Sequence, residues 1–126
     1  MTWALWCILI AGLLPYVGTM VAKWGFEHYD NHNPREWLGK QSGFRARGRA
    51  AEANGFEAFP LFAAAVLVAT WTHSSLACMN ALASIFIVAR ILYIACYVTD
   101  RASLRSLSWL VGVLSIVSLF VLAGLQ

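Results

Sequence analysis

The sequence predicts an all-α integral membrane protein, folded as a four-helix bundle. Of its 126 residues, 60% are hydrophobic and only 12% are charged, which is about half the charged fraction of an ordinary soluble domain. The chain also contains four apolar stretches, each close to the roughly 20 residues that cross the hydrocarbon core as a helix. Because an isolated strand cannot satisfy its backbone in lipid, we expect these stretches to be helices of a single domain, residues 1–126.

The four predicted spans cover about residues 3–22, 54–71, 75–97 and 107–125. Before the second span, Asn33-Pro34 predicts a turn followed by a short helix, and Gly39, Gly43 and Gly48 loosen the chain. Pro60 lies within the second span, where it should kink the helix because it has no backbone N–H. The short link after the third span makes the third and fourth helices antiparallel neighbours. The small residues Gly112, Ser115 and Ser118 of the fourth span favour close helix packing.

The charged residues predict how the chain crosses the membrane. All nine Lys and Arg and all six acidic residues lie around the first loop and the start of span two, or at the end of span three and just after it. The positive-inside rule therefore places the loops between spans one and two and between spans three and four in the cytoplasm, with both termini outside. The net charge of +3 follows from this bias and favours anionic lipid headgroups, so no nucleic acid partner is expected.

Polar side chains continue into the second span on one helical face. Arg47, Asn54 and Glu57 are separated by seven and three residues, a spacing that places them on the same side of a helix. Ala50 and Ala51 lie between them and should leave room for another molecule to approach. A carboxylate that faces lipid costs several kcal/mol, so Glu57 should face protein or water.

A second polar face is predicted on the third span. Arg90, Tyr93 and Tyr97 recur at intervals of three and four residues, and Arg90 lies well inside an apolar run. We expect an ion pair between Arg90 and Glu57. Such a pair alone could simply fix how two helices pack, but the additional amide, phenols and arginines exceed what one ion pair needs. These groups suit a small zwitterionic ligand, whose carboxylates would bind arginine and whose ammonium group would bind glutamate.

Neither a metal site nor a disulfide is predicted. His28 and His32 are four residues apart, a spacing that can bind a metal, but this pair alone is a weak signal, and we expect both to belong to a solvated loop. Cys7, Cys78 and Cys96 show no ligand spacing, and we expect all three to be ordinary buried residues of the spans.

Two motifs on separate helices carry a family resemblance. Residues 49–60 have the sequence RAAEANGFEAFP, and residues 90–97 have the sequence RILYIACY. The first resembles the Arg-Ala, Asn-X-X-Glu and Phe-Pro pattern that begins helix two of microsomal glutathione transferases and leukotriene C4 synthase, and the second resembles the Arg-X-X-Tyr-X-X-X-Tyr pattern of their helix three. The chain thus resembles MAPEG, the membrane-associated proteins in eicosanoid and glutathione metabolism. Its long first loop is similar to that of a bacterial branch, which implies an inner-membrane location.

The resemblance implies a homotrimer that binds glutathione between neighbouring subunits near the cytoplasmic side. It further implies a glutathione transferase or peroxidase that acts on hydrophobic electrophiles arriving from the lipid bilayer. The arginine that stabilises the thiolate follows helix three in this family, and its counterpart here is Arg105 or Arg101. The residues that would bind glutathione are Arg47, Arg49, Asn54, Glu57, Arg90, Tyr93 and Tyr97.

Other functions stay open on the sequence alone. Arg49 precedes Asn54 by five residues rather than the family's four, which turns it by about 100° around the helix, so Arg47 lies better on the binding face. A non-enzymatic trimeric membrane subunit or binding protein would use its Arg–Glu pairs only to hold helices and subunits together. A transporter or pore fits less well, because the polar groups crowd one side of the membrane.

Overall fold

A computed structural model describes all 126 residues and is built from helices alone. Four helical segments are long and apolar enough to cross a membrane, which confirms the predicted all-α membrane fold. The first span consists of two consecutive helices, and α5 and α6 pack extensively against each other, as the short link between them predicts. The helices are α1 (Trp3–Leu13), α2 (Pro15–Ala22), α3 (Pro34–Gly39), α4 (Gly43–Trp71), α5 (Leu76–Val98) and α6 (Ala102–Gly124), with a 3₁₀ turn at Trp24–Phe26.

The first span is divided at Pro15. This residue has no N–H to donate and occupies the first turn of α2. Leu14 keeps helical backbone angles, with φ −54° and ψ −39°, so α1 and α2 continue as one span over Trp3–Phe26. At the start of α1, the N–H of Ala4 donates to Oδ1 of Asn80 on α5 at 3.0 Å. This contact satisfies one of the N–H groups that a helix start leaves unpaired.

The second span is longer than the apolar stretch that predicted it. Its helix α4 has 29 residues and is therefore about 43 Å long, whereas the hydrocarbon core is about 30 Å thick. The additional turns, beginning at Gly43, carry the polar residues that precede residue 54 and lie at the level of the headgroups or beyond. The helix continues through Pro60 without ending.

Two facing glycines allow α2 and α4 to cross closely. A Cβ atom added at Gly18 would lie 2.6 Å from the carbonyl oxygen of Gly48, and one added at Gly48 would lie 2.8 Å from that of Gly18. Both distances are too short for any carbon–oxygen contact, so only glycine fits at either position. The expectation that Gly48 loosens the chain before span two is wrong, because this residue lies inside α4 and fixes the crossing.

The apolar core lies in the half of the bundle away from the charged loops. Phe62 of α4 stacks on Phe86 of α5 with the ring centroids 3.9 Å apart, and Leu119 of α6 is fully buried in the same cluster. Small residues of α1, such as Ala4 and Ala11, let that helix approach the rings. This packing leaves the polar residues of α4 and α5 together at the opposite end.

The cysteines do not share one environment. Cys7 is buried in the core and Cys96 is partly buried, but Cys78 is exposed on the surface of α5. The expectation of three buried cysteines is therefore wrong for Cys78, whose position on the outside of α5 exposes it to lipid or another protein. His28 and His32 are exposed, and the chain brings no three histidine, cysteine or carboxylate side chains together as a metal site.

The first loop is folded against the bundle rather than extended. The short helix α3 begins at Pro34, as the sequence predicts. Its Trp37 and Leu38 are buried together with Ala22 of α2, and Nη1 of Arg45 on α4 donates to the carbonyl of Ala22 at 3.2 Å. These contacts hold α3 beside the first turns of α4.

Candidate functional site

Arg90 is the centre of a polar cluster between α4 and α5. Its side chain is only 5% exposed, and its Nη1 donates to Oδ1 of Asn54 at 3.0 Å. Its Nη2 is buried and has no hydrogen-bond partner. Leaving a buried charged donor unpaired is unfavourable, so this nitrogen is available to donate to an acceptor such as a carboxylate.

The expected ion pair between Glu57 and Arg90 is wrong. Asn54 lies between them, because its Oδ1 accepts from Arg90 while its Nδ2 donates to Oε2 of Glu57 at 3.4 Å. All three residues lie on the predicted faces, but Glu57 is at the exposed edge of its face and Asn54 is nearer to α5. The amide therefore links the carboxylate to the guanidinium without direct contact between the two charges.

Glu57 is exposed at a depth where a carboxylate should not face lipid. It precedes Trp71, the last residue of α4, by fourteen residues, or about 21 Å along the helix. With Trp71 at the far boundary of a hydrocarbon core about 30 Å thick, Glu57 lies inside that core. Lipid contact there would cost several kcal/mol, so water or another protein surface must cover this edge of α4.

Guanidinium and phenol groups continue from Arg90 towards the charged loop. Cζ of Arg90 lies 4.2 Å from the ring centroid of Tyr93, and the rings of Tyr93 and Tyr97 meet edge to face with centroids 5.6 Å apart. Cζ of Arg105 on α6 lies 4.5 Å from the ring centroid of Tyr97. Both arginines make favourable cation–π contacts. We call these four residues the arginine–tyrosine column; it has a guanidinium group at each end.

The two small residues between the polar positions of α4 do not both leave free space. Ala51 is fully buried against Tyr93 and Ile94 of α5. The expectation that Ala51 leaves room for a ligand is therefore wrong, because its small side chain admits the neighbouring helix instead. Ala50 is half-buried.

Two of the arginines predicted for the site have other surroundings. Nε of Arg47 donates to the carbonyl of Val98, the last residue of α5, at 3.1 Å. A cation at that position also complements the helix dipole, so Arg47 joins the start of α4 to the end of α5. Arg49 is exposed and lines a separate cavity with Arg35 of α3. Arg35 is not among the residues predicted for the site, although its position just after Pro34 at the start of a short helix is a signal that could have indicated it.

The two arginines that follow α5 also differ in position. Arg105 contacts the arginine–tyrosine column through Tyr97, whereas Arg101 is exposed immediately before α6. The site that the structure assembles therefore contains Asn54 and Glu57 of α4 with the four residues of the column. It combines a carboxylate, an amide, two phenols and two guanidinium groups at one end of a membrane bundle.

The model of the MAPEG family matches residues 3–125 of the chain, which includes all four spans and every residue of this site. The chain belongs to the MAPEG family. This match confirms the resemblance carried by residues 49–60 and 90–97. No curated protein and no solved structure matches the chain. The MAPEG family includes glutathione transferases and related proteins.

Proposed function

We propose that this MAPEG protein binds glutathione at the polar cluster and the arginine–tyrosine column. The main support is the buried, unpartnered Nη2 of Arg90. Glutathione carries two carboxylates, and a guanidinium group binds a carboxylate through two parallel hydrogen bonds. Its ammonium group would be accepted by Glu57, which otherwise bonds only to Asn54. Its remaining amide groups can meet the phenols of Tyr93 and Tyr97.

We propose that the bound glutathione reacts with hydrophobic electrophiles, in the manner of a transferase or peroxidase. Arg105 lies at the opposite end of the column from Arg90 and is the residue best placed beside a thiol. A cation there favours the thiolate, which is the nucleophilic form, while the thiol proton leaves to solvent. In the transfer reaction the sulfur forms a bond to carbon, and the leaving group departs with its electron pair.

An apolar groove beside the site could admit the hydrophobic partner. It lies between α5 and α6, the two helices that carry Tyr97 and Arg105, and has a volume of about 360 Å³. Because it opens on the outer surface of the bundle, a lipophilic substrate can reach it laterally from the bilayer. Its apolar lining includes Ile85, Val88, Leu92, Leu107 and Val111.

We also propose that the working unit is a homotrimer with the glutathione site between subunits. This assembly would cover the exposed carboxylate of Glu57 at its depth in the membrane. The charge distribution supports an orientation with the site near the cytoplasmic face of a bacterial inner membrane and both termini outside. Thiols are kept reduced in the cytoplasm, where glutathione would bind.

Reduced glutathione should raise the melting temperature of the detergent-purified protein. A ligand that binds only the folded state stabilises it by RT ln(1 + [L]/Kd), or about 2.7 kcal/mol at one hundred times Kd. S-methyl glutathione, in which the thiol is blocked, should stabilise the protein to a similar extent because the carboxylates and ammonium group carry the binding. If neither compound shifts the melting curve at millimolar concentration, the non-enzymatic subunit becomes the better interpretation.

Substitution of Arg105 by alanine should separate binding from activation. We expect S-methyl glutathione to bind within about threefold of its original affinity, since Arg90 still holds the carboxylate, while turnover falls at least about a hundredfold because the thiolate loses its stabilising charge. The ultraviolet absorbance of the bound thiolate should disappear in Arg105→Ala and persist in Arg101→Ala. The opposite pattern would assign this role to Arg101.

A further inference from the structure

We infer that a second site, on a different face of α4, binds the phosphoethanolamine headgroup of a phospholipid. A cavity of about 240 Å³ lies where α3 meets α4. It combines charged groups with an apolar wall, and it is lined by Arg35, Leu38, Arg49, Glu52, Ala53 and Phe56. Asn54 faces α5 instead, so this cavity is separate from the proposed glutathione site within one subunit.

Three charged side chains of the cavity have no partner within the chain. Arg35, Arg49 and Glu52 form neither an ion pair nor a side-chain hydrogen bond, whereas Lys40 on the same loop pairs with Glu36 at 2.7 Å. The hydrogen bond to Glu36 also raises the pKa of Lys40. Two free guanidinium groups and one free carboxylate around a common cavity match a ligand that carries both an anion and an ammonium group.

The cavity lies at the depth of lipid headgroups. Glu52 precedes Trp71 by nineteen residues, or about 28 Å along the helix, which nearly equals the hydrocarbon thickness of about 30 Å. Arg49 lies almost one turn further out, and Phe56 lies about one turn further in. Phe56 is exposed and contacts Tyr16 of α2 edge to face, with ring centroids 5.4 Å apart. The chain thus offers cations at the level of a phosphate and an aromatic surface at the level of the first acyl carbons.

The charges favour phosphoethanolamine over phosphocholine and phosphoglycerol. The phosphate would bind Arg35 and Arg49 through charge-assisted hydrogen bonds, and the primary ammonium group would donate to Glu52. The quaternary ammonium of phosphocholine has no N–H to donate, and phosphoglycerol has no ammonium group at all. Glu52 is therefore the residue that should distinguish phosphatidylethanolamine from both of them.

Native mass spectrometry of the delipidated protein in detergent can measure these preferences. With acyl chains held constant, phosphatidylethanolamine should bind about tenfold more tightly than phosphatidylcholine or phosphatidylglycerol. Arg35→Gln and Arg49→Gln should each weaken its binding about tenfold through the loss of a charge-assisted contact. Glu52→Gln should abolish its advantage over phosphatidylcholine. Lys40→Gln removes the same charge outside the cavity and should bind like the unchanged protein.

Competition experiments distinguish a membrane lipid from a small soluble molecule as the ligand of this cavity. Soluble phosphoethanolamine should displace the lipid weakly, since it lacks the acyl contact with Phe56, and inorganic phosphate should not displace it. Displacement by millimolar glutathione would assign the cavity to glutathione and overturn the lipid site. Equal affinity for the three lipids, or arginine variants that behave like Lys40→Gln, would overturn it as well. Arg90→Gln should leave lipid binding unchanged. The test of the lipid site is therefore independent of the proposed glutathione site.

Discussion

Gly18→Ala should destabilise the protein by about 2 kcal/mol, although alanine is usually the better helix residue. The higher helix propensity of alanine is worth about 1 kcal/mol. Against it, the new Cβ would lie 2.6 Å from the carbonyl oxygen of Gly48 and 2.9 Å from the backbone nitrogen of Glu52. Backbone atoms cannot rotate away, so we expect a cost near the upper end of the roughly 1–3 kcal/mol found for overpacking.

The same substitution at Gly124 provides the matched control. That residue ends α6, and a Cβ there would meet nothing within 4 Å, so Gly124→Ala should change stability by less than about 0.5 kcal/mol. Gly48→Ala should destabilise the protein about as much as Gly18→Ala, because both add a Cβ atom where α2 and α4 cross. The measurement is the melting temperature in detergent at fixed protein concentration. Equal melting of Gly18→Ala and Gly124→Ala would mean that α2 and α4 do not cross as closely as described.

Composition and charge were sufficient to predict the fold class but not the ends of its helices. Hydropathy detects only the part of a helix that lies in lipid, so it placed the second span at about residues 54–71, whereas α4 begins at Gly43. The preceding turns are helical because they pack on α2 at Gly48 and because Arg45 donates to the carbonyl of Ala22 at the end of α2. Those contacts depend on the fold of the whole chain and have no local sequence pattern.

The spacing of polar residues predicted the faces of the site but not its contacts. A period of 3.6 residues places Asn54 and Glu57 together, yet which of them reaches Arg90 depends on how α4 and α5 cross. Ala51 sets that crossing by admitting Tyr93. The partner of Arg47 is the carbonyl of Val98. A backbone acceptor of this kind cannot be predicted from a sequence pattern.

Arg90→Gln should remove glutathione binding without destabilising the protein in the absence of ligand. Glutamine is too short to donate to Asn54 as Nη1 does, but the loss of this hydrogen bond is offset because the change eliminates a buried charge whose Nη2 has no partner. Such charges carry a desolvation cost, so the melting temperature of the free protein should stay the same or rise. Loss of a bidentate contact to a carboxylate should weaken glutathione binding by at least about a hundredfold.

The two readouts together separate a ligand-binding role of Arg90 from a structural one. At a concentration one hundred times the original Kd, a hundredfold loss reduces the stabilisation by glutathione from about 2.7 to about 0.4 kcal/mol. Lys40→Gln removes a charge at an exposed position and should keep the whole effect. Arg90→Lys should fail like Arg90→Gln, because an ammonium group cannot provide the planar, two-bond contact of a guanidinium. If Arg90 only holds α4 against α5, both Arg90 variants should instead have a lower melting temperature without ligand. Glutathione should then leave the melting temperature of the unchanged protein and of every variant the same.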